Sequence, residues 1–169
     1  GAEGSVDADL VARAKAGDQR ALEALLSKYQ PHLMRFGMRM CGRREDAEDV
    51  VQESMIAAVR TLPDFREDAA ISTWLYTIAR SFCIKKRRRS KFAPAREESL
   101  DDESRASALR SIADDDAGPE ERALASELEG ALHSAILGLE PGQREVLVLR
   151  DVEGLSANEV AEITGLGVG

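Results

Sequence analysis

The sequence has few aromatic residues, few cysteines and no long run of apolar residues. Aromatic side chains make up 4% of the 169 residues, whereas 43% of the residues are hydrophobic and 32% are charged. Such a composition can support a core, and it is more typical of small helical domains than of a β-sandwich. No stretch is apolar over the length of a bilayer, and the N-terminus has no signal-peptide pattern. We therefore expect a soluble, cytoplasmic protein without membrane insertion.

The residues that usually carry catalysis or bind metals form no pattern. Cys41 and Cys83 are far apart in the sequence without a C-x-x-C motif, and His32 and His133 add no ligand spacing. A structural metal or a disulfide is therefore not expected. The sequence also lacks a Ser/His/Asp or Cys/His set, a glycine-rich phosphate loop and a carboxylate pair. These absences predict a protein that is not an enzyme and has no catalytic residue, metal or cofactor.

The net charge of -8 is distributed unevenly along the chain. Residues 1–96 carry 18 basic and 13 acidic side chains, residues 97–121 carry 2 and 10, and residues 122–169 carry 3 and 8. The first part is therefore basic although the whole chain is acidic. This asymmetry indicates a module that binds a polyanion, joined to a part of different character.

The first forty residues show the apolar spacing of two helices. The stretch DADLVARAKAGDQRALEALLSKYQ is interrupted at Gly17, and Asp18 is suited to cap the second helix. Pro31 is expected to kink or restart that helix, because proline removes one backbone hydrogen bond and clashes with the preceding turn.

A third helix is predicted over residues 44–62, ending at Pro63, and it carries two stripes. One stripe is apolar and should pack; it comprises Val50, Val51, Met55, Ala58, Val59 and Leu62. The other bears acids and an amide; it comprises Asp46, Asp49, Gln52 and Glu53. This second stripe must meet water or a partner.

A fourth helix is predicted from near Ser72 or Thr73 and ends in the basic run KKRRRSK. Cations are favoured at a helix C-terminus, so the run could be a solvated helix end or a phosphate-binding surface. Trp74 lies in the apolar stripe of this helix, which favours a core position over stacking on a base, although both remain open.

Residues 91–118 show no periodicity and are rich in Ser, Asp, Glu and small residues, which predicts a flexible acidic linker. Leu109 and Ile112 could form a short docked turn within it. Two domains joined in this way are expected to move independently.

Residues 119–169 predict a helix-turn-helix that is incomplete at its C-terminal end. After Pro119 leucines recur at helical spacing, and Pro141 is placed to start a second helix. Ser156 and Glu159 form an S-x-x-E capping box for a third helix, which Gly165 should end. The helix that would enter a DNA groove should begin at about residue 168, so its contacts are not predicted.

Four stretches, taken in order, resemble the extracytoplasmic-function (ECF) sigma factors of bacterial RNA polymerase, in the sigma-70 superfamily. They are LVARAKAGDQRALEALLSKY, EDAEDVVQES, DFREDAAISTWLYTIARSFC and LEPGQREVLVLRDVEGLSANEVAEITGLGVG. The resemblance implies an all-α protein with two small helical domains. Region 2, residues 6–90, would bind core polymerase and the minus-10 element, and region 4, residues 119–169, would bind the minus-35 element. The implied function is promoter recognition, promoter melting and transcription initiation.

The resemblance also implies roles for particular side chains. Contacts with the polymerase β′ subunit are expected from Asp46, Asp49, Gln52 and Glu53. The wall of a pocket for a flipped minus-10 base is expected from Phe65, Arg66, Glu67, Asp68 and Ala69. Further minus-10 contacts are expected from Arg80, Ser81, Lys85, Lys86, Arg87 and Arg88. Minus-35 phosphate contacts, or capping alone, are expected from Ser156, Asn158 and Glu159. The family usually has Asn in place of Ser81, which leaves the base preference at that position open.

The expected partners are core RNA polymerase, through its β′ and β subunits, promoter DNA, and an anti-sigma factor that occupies both domains. The ten acids of residues 97–121 suggest that the linker mimics the transcript inside polymerase channels. Two alternatives remain open from sequence. One is a stand-alone helix-turn-helix transcriptional regulator, and the other is a polymerase-binding adaptor or anti-sigma antagonist that reads no DNA.

Overall fold

The computed structural model describes residues 2–92 and 118–167, with side chains from Gly4 to Lys91 and from Gly118 to Gly167. Every regular element within these residues is helical, which confirms the all-α prediction. The α-helices are α1 Ala2–Lys15, α2 Gln19–Cys41, α3 Arg44–Thr61, α4 Ile71–Phe92, α5 Pro119–Leu137, α6 Pro141–Leu147 and α7 Ala157–Thr164. A 3-10 turn, Leu62–Asp64, follows α3, and a π-helical turn, Val148–Val152, follows α6. None of these helices is both long and apolar enough to span a bilayer.

Two predictions fall largely or wholly outside the described residues. These are the acidic linker, including the turn at Leu109 and Ile112, and the helix expected to begin at about residue 168. The described chain resumes at Gly118, which precedes α5. Helix α4 continues to Phe92, two residues beyond the end expected for the first domain.

The start of α2 is capped as the sequence predicts. The Asp18 carboxylate accepts hydrogen bonds from the backbone N–H groups of Arg20 and Ala21, at 3.0 and 3.2 Å. Arg13 bonds the second oxygen of that carboxylate at 2.7 Å, and this hydrogen bond lowers the pKa of Asp18. The two-helix prediction for the first forty residues is confirmed.

The expected restart of the helix at Pro31 is wrong, because α2 runs without interruption from Gln19 to Cys41 with the proline inside it, while the expected kink stays a prediction. The helix buries Leu25, Tyr29, Leu33, Phe36 and Met40 along one face on both sides of the proline. A proline removes one N–H donor, whereas this apolar face extends over four turns and keeps both halves packed on the same core.

Helices α1 to α4 form a bundle around a shared core. Leu33 and Phe36 of α2, Val50 of α3 and Leu75 of α4 are fully buried there. The apolar stripe of α3 packs as predicted except for Val59, which is 43% exposed. Val59 lies about 80° around the helix from Val51, at the edge of the stripe, so it escapes burial.

The second unit begins with α5, which touches the rest of the molecule mainly at its C-terminal end. Leu124 and Leu128 are each 68% exposed, whereas Ile136 is buried. Pro141 occupies the first turn of α6, as predicted. Gly165 ends α7 in the left-handed conformation, with φ of +74°, which a glycine adopts without strain.

The two units pack against each other instead of standing apart. Ile136, Val148 and Leu149 of the second unit belong to the same buried cluster as the core of the first unit. The Arg144 guanidinium donates to the carbonyl of Met40 at the end of α2, at 3.0 Å. The two units are therefore in contact in this structure, which the sequence pattern of the linker could not indicate, and their independent movement stays a prediction.

Candidate functional site

The predicted acidic stripe lies on the outer face of α3. Asp49, Gln52 and Glu53 are exposed and Asp46 is partly buried, while Val50 and Ser54 between them are buried. The structure thus brings the four side chains together on one face of a rigid helix. Asp49 is also held by Lys86 of α4, whose Nζ lies 2.7 Å from its Oδ2.

An apolar residue at the C-terminal end of this stripe was not noted in the sequence. Ile56 is 52% exposed, and it follows Gln52 by four residues and Glu53 by three, so it shares their face. A large side chain exposed beside carboxylates is suited to a partner surface that offers both cations and an apolar pocket. The sequence signal was present, because Ile56 interrupts the polar side of the helix.

A cleft of about 330 Å³ lies at the loop between α3 and α4. Four of its wall residues were predicted for the base pocket; they are Phe65, Arg66, Asp68 and Ala69. Asp64 of the 3-10 turn and Thr73, Trp74 and Thr77 of α4 complete this side of the wall. Glu67 is exposed on the same loop but does not line the cleft. One further wall residue, Glu162, comes from α7 of the second unit.

Phe65 and Trp74 are the aromatic pair of the cleft. Their ring centroids are 4.9 Å apart, and Phe65 is only 5% exposed, so much of its ring belongs to the core. Trp74 is half-buried and lines the cleft at the same time, so the core and base-facing alternatives are compatible. Lys15 of α1 donates to the Phe65 carbonyl at 2.8 Å and holds the loop in place.

The floor of the cleft has an unsatisfied polar atom. Thr73 is 3% exposed, and its hydroxyl oxygen has no hydrogen-bond partner in the structure. A buried hydroxyl without a partner costs free energy. A ligand with a hydrogen-bonding edge would recover part of that cost if it entered the cleft and reached this hydroxyl.

The predicted cations of α4 are not equally accessible to a partner. Lys85 and Arg88 are exposed, and the Lys85 ammonium lies 5.1 Å from the centroid of the Phe82 ring. Lys86 is engaged by Asp49, which raises its pKa through their hydrogen bond. Arg87 is partly buried. The accessible cationic surface is therefore smaller than the basic run suggests.

Arg80 is paired with an acidic residue of the second unit. Its guanidinium forms a salt bridge with the carboxylate of Glu145 in α6, and the Glu145 side chain is nearly completely buried. An acid of the second unit is therefore the partner of Arg80 in this structure. This pairing joins residues 65 positions apart, so no local pattern in the sequence could have indicated it.

Ser81 stands at an exposed position of α4 and bonds within its own helix. Its hydroxyl donates to the carbonyl of Ile78 at 2.7 Å. A rotation of the hydroxyl about its side-chain bond would release it for another acceptor, because the position is open to solvent.

A buried carboxylate at the junction of the two units was also not predicted from the sequence. Glu153 follows the π-helical turn, and its side chain is fully buried. Arg35 donates to both of its oxygens at 2.8 Å, and the Tyr76 hydroxyl donates to Oε2 at 2.6 Å. Glu153 in turn raises the pKa of Arg35, mainly through the hydrogen bond. Burial, followed by Glu153, raises the pKa of Tyr76.

Arg144 closes the same junction from another side. Its guanidinium donates to the carbonyls of Ile136, Leu137 and Leu139, at 3.2, 2.5 and 3.2 Å, at the C-terminal end of α5. Burial lowers the pKa of Arg144, and so does the nearby charge of Arg87. Because the same side chain reaches Met40, it ties α5 and α6 to the end of α2.

The three candidates for minus-35 contacts lie in the first turn of α7 or at its cap. The Ser156 hydroxyl accepts from the backbone N–H of Glu159 at 3.2 Å, and the Glu159 carboxylate accepts from the N–H of Ser156 at 2.7 Å. These bonds confirm the predicted capping box. Asn158 is exposed.

No group of three or more His, Cys, Asp or Glu side chains in residues 2–92 and 118–167 is arranged to hold a metal ion. The acidic stripe, the cleft and the basic end of α4 consist mainly of charged, aromatic and hydroxyl side chains. Such groups recognise a ligand or a partner surface.

Comparison with family models finds two matches. The model described as Sigma-70 region 2 matches residues 25–92, and the model described as Sigma-70, region 4 matches residues 129–169. The first match contains the acidic stripe, the cleft and the basic end of α4. The second contains the residues that cover the cleft and Arg80.

Curated relatives match nearly the whole chain. The RNA polymerase sigma-H factor of Pseudomonas aeruginosa is 34% identical over 167 residues, covering 96% of this chain and 84% of the relative. The ECF RNA polymerase sigma-E factor of Haemophilus influenzae is 35% identical over 172 residues, covering 99% and 88%. The ECF RNA polymerase sigma factor SigM of Mycobacterium tuberculosis is 31% identical over 163 residues, covering 96% and 76%.

A solved structure has the same fold. The structure of CnrH in complex with the cytosolic domain of CnrY matches with a TM-score of 0.67 and 26% sequence identity. The match covers 96% of this chain and 84% of the matched chain.

Proposed function

We propose a division of labour for this chain from the premise that it belongs to the ECF sigma factors of the sigma-70 family. As a sigma factor it binds core RNA polymerase and directs promoter recognition, promoter melting and transcription initiation, while the polymerase performs the chemistry. In our proposal one face of region 2 holds the enzyme and another face holds the unpaired DNA strand. The observation that carries this proposal is the position of the cleft and the acidic stripe on separate surfaces of one helical bundle.

The acidic stripe of α3 binds the polymerase, through its β′ subunit. Asp46, Asp49 and Glu53 are presented from a rigid helix, and such carboxylates form charge-assisted hydrogen bonds to arginines of a partner. Ile56 adds an apolar contact at the C-terminal end of this surface. Lys86 must release Asp49 when the partner binds, and the pair is exposed enough for that exchange to cost little.

The cleft accepts a base that has left the duplex stack. A flipped base needs an aromatic or apolar wall and polar groups for its edge. Trp74 supplies the aromatic wall. The Thr73 hydroxyl, which has no other hydrogen-bond partner, supplies a donor or acceptor for the edge of the base. Phe65 stabilises the wall from the core, and Arg66 and Asp68 line its exposed side.

The basic end of α4 neutralises the phosphates of the same strand. Lys85 and Arg88 are accessible in this structure, whereas Arg80 becomes accessible only when Glu145 leaves it. Phosphate contacts give affinity and register, and the cleft gives sequence preference. In region 4, Asn158 is the candidate for a minus-35 phosphate contact, because Ser156 and Glu159 already serve the cap.

The packed arrangement of the two regions is a resting form that excludes DNA. Glu145 neutralises Arg80, and Glu162 brings a negative charge to the wall of the cleft where a nucleotide would enter. An anti-sigma factor that contacts both regions would hold this form, and CnrH in its solved structure is bound to the cytosolic domain of another protein. Binding to polymerase separates the regions, and the acidic linker then occupies channels that later hold the transcript.

Holoenzyme assembly and single-strand binding test the division of labour. Asp49→Asn combined with Glu53→Gln should weaken binding to core polymerase at least tenfold, because two charge-assisted hydrogen bonds are replaced by weaker neutral ones. Glu48→Gln is the matched control, since Glu48 lies on the same helix but pairs with Arg44. Fluorescence titration of core enzyme with labelled protein measures the affinity.

Lys85→Ala combined with Arg88→Ala should leave assembly unchanged and weaken binding of the holoenzyme to random single-stranded oligonucleotides. The salt dependence of that binding should also flatten, by a slope of about 0.7 for each phosphate that is no longer neutralised. Arg20→Ala removes an exposed cation from α2 and serves as the control. If the acidic variants lose DNA binding and the basic variants lose assembly, the proposed division of labour is wrong.

A further inference from the structure

The two cysteines meet at the junction of α2 and α4. Cys41 is the last residue of α2, and its sulfur lies 3.5 Å from the sulfur of Cys83, 42 residues further along the chain. Both are free thiols. The proposed binding of polymerase and DNA uses neither of them.

The environments of the two sulfurs differ in a way that assigns them different chemistry. Cys83 is fully buried between the helices, whereas Cys41 is only partly buried. The hydrogen bond between the two sulfurs lowers the pKa of the Cys41 thiol, the cations Arg87 and Lys86 lower it further, and burial and Asp46 oppose them. The hydrogen bond with Cys41 raises the pKa of Cys83, and burial raises it further. Cys41 is thus the readier nucleophile, because the thiolate is the reactive form.

We propose that Cys41 and Cys83 form an oxidation site at which hydrogen peroxide converts the two neighbouring thiols into one intramolecular disulfide. The Cys41 thiolate attacks a peroxide oxygen, the O–O bond breaks, and the departing hydroxide takes a proton to become water. This step leaves a sulfenic acid on Cys41. The sulfur of Cys83 then attacks the sulfur of Cys41 and displaces hydroxide, which leaves as a second water with the proton of Cys83. The sulfur pair loses two electrons, and one peroxide is reduced to two waters.

The geometry requires only a small movement for the second step. The sulfurs must approach each other by about 1.5 Å to reach the bonding distance of about 2.05 Å. Cys41 is the last residue of its helix, and the next residue, Gly42, is in the left-handed conformation with φ of +75°, so the approach involves a helix end and not the middle of a helix. The bond would link α2 to α4 across 42 residues and limit the freedom of the unfolded chain. The oxidised protein should therefore unfold at a higher temperature than the reduced protein.

Mass spectrometry of the full chain tests the site. The reduced protein is treated with a few-fold excess of hydrogen peroxide, alkylated and analysed intact and as peptides under non-reducing conditions. We expect both thiols to disappear together, a mass decrease of two hydrogens, and a peptide pair joined through Cys41 and Cys83. Dithiothreitol should restore both thiols and the lower unfolding temperature.

Two serine variants separate the roles of the cysteines. In Cys83→Ser the first step should still occur and the sulfenic acid on Cys41 should be trapped by dimedone, whereas Cys41→Ser should leave Cys83 unlabelled. Arg87→Ala should slow the oxidation of the thiols several-fold, since the thiolate then lacks a neighbouring cation. Circular dichroism establishes that each variant is folded.

Three results would overturn the proposal. They are persistence of both thiols in wild-type protein, oxidation that yields only intermolecular dimers, and equal dimedone labelling of both single variants. Each readout is made on the isolated chain without polymerase or DNA. The outcome is therefore independent of the function proposed above.

Discussion

At the scale of single residues, the most consequential group is the buried carboxylate of Glu153. A carboxylate removed from water is unfavourable unless it is paired and hydrogen-bonded. Here the two oxygens receive three donated bonds, two from Arg35 and one from Tyr76, at 2.6 to 2.8 Å. Glu153 belongs to the second unit, whereas Arg35 and Tyr76 belong to the first. The Glu153 carboxylate therefore keeps its hydrogen bonds only while the two units are packed together.

Tyr76→Phe isolates one of these bonds. The ring should remain packed at 5.6 Å from Phe36, while Glu153 has one donor fewer. We expect the free energy of unfolding to fall by about 1.5–3 kcal/mol near neutral pH, the range for hydrogen bonds to charged groups. Urea denaturation followed by circular dichroism measures the change.

Comparison of the wild-type protein with Tyr76→Phe also gives a prediction about pH. The pKa of Tyr76 is raised by folding, first through burial and then through Glu153, from an ordinary value of 10.0. The stabilisation is therefore complete below about pH 10 and declines as the pH rises above that value. The difference between wild type and Tyr76→Phe should shrink in alkaline solution, and a difference that stays constant would contradict this account.

At the scale of secondary-structure elements, tertiary packing determined the course of the chain where it disagreed with the local sequence signal. Pro31 carries a strong local signal against a helix, yet α2 is continuous because its buried face runs past the proline. Asp18, Ser156 and Gly165 lie at helix ends, where the backbone groups left unpaired by the helix determine the chain conformation. At these helix ends the local sequence signals were sufficient to predict the structure.

The cap of α7 gives a prediction that separates two roles for Ser156. Ser156→Ala should lower the stability of the second unit by about 0.5–2 kcal/mol, because one helix N–H is left without its acceptor. Ser156→Asp keeps a capping oxygen and should retain the stability. If Ser156 also touches a phosphate, the aspartate variant should weaken duplex binding by charge repulsion. Thermal unfolding and DNA titration of both variants measure the two roles.

At the scale of the whole molecule, closure between the two units hides part of the proposed DNA surface. The closing contacts include ion pairs and hydrogen bonds, with Glu145 on Arg80, Glu153 on Arg35 and Arg144 on the Met40 carbonyl. They accompany an apolar part of the junction, where Ile136, Val148 and Leu149 join the core of the first unit. Water can take over the hydrogen bonds when the units separate, whereas exposure of the apolar part opposes separation, so opening requires a partner that binds more strongly than this junction.

Glu153→Gln should shift the free protein towards the open form. The amide keeps the size of the side chain but leaves the Arg35 charge without its counterpart, and removal of one partner from a buried pair costs about 3–5 kcal/mol. We expect a larger radius of gyration in small-angle scattering and tighter binding to single-stranded DNA, because Arg80 and the cleft become accessible. Helix content should remain unchanged.

Asp151→Asn is the matched control for this prediction, because Asp151 is an exposed acid two residues away. It should change neither the scattering nor the affinity for DNA. An unchanged radius of gyration in Glu153→Gln, with the protein still folded, would mean that this carboxylate does not hold the two units together.

Much of the fold was predictable from the sequence, as was the arrangement of part of the site. The stripe of Asp46, Asp49, Gln52 and Glu53 was predicted from helical spacing, and the structure places it on one face of α3. The pocket wall from Phe65 to Ala69 was predicted from resemblance, and four of its five residues line the cleft, whereas Glu67 does not. The burial of Phe65 was not predicted. A residue that follows a helical turn in a loop can face the core or the cleft, and only its neighbours in space decide which.

The amino-acid sequence by itself determined the helical class, the ends of most helices and the polar face of α3, because each of these depends on residues within one or two turns. Tertiary structure alone decided which charges are accessible and which are paired. The contacts of Arg80 with Glu145, of Arg35 with Glu153 and of Cys41 with Cys83 span 65, 118 and 42 residues. Such contacts arise when whole surfaces pack, and no local spacing encodes the surface that each side chain will meet.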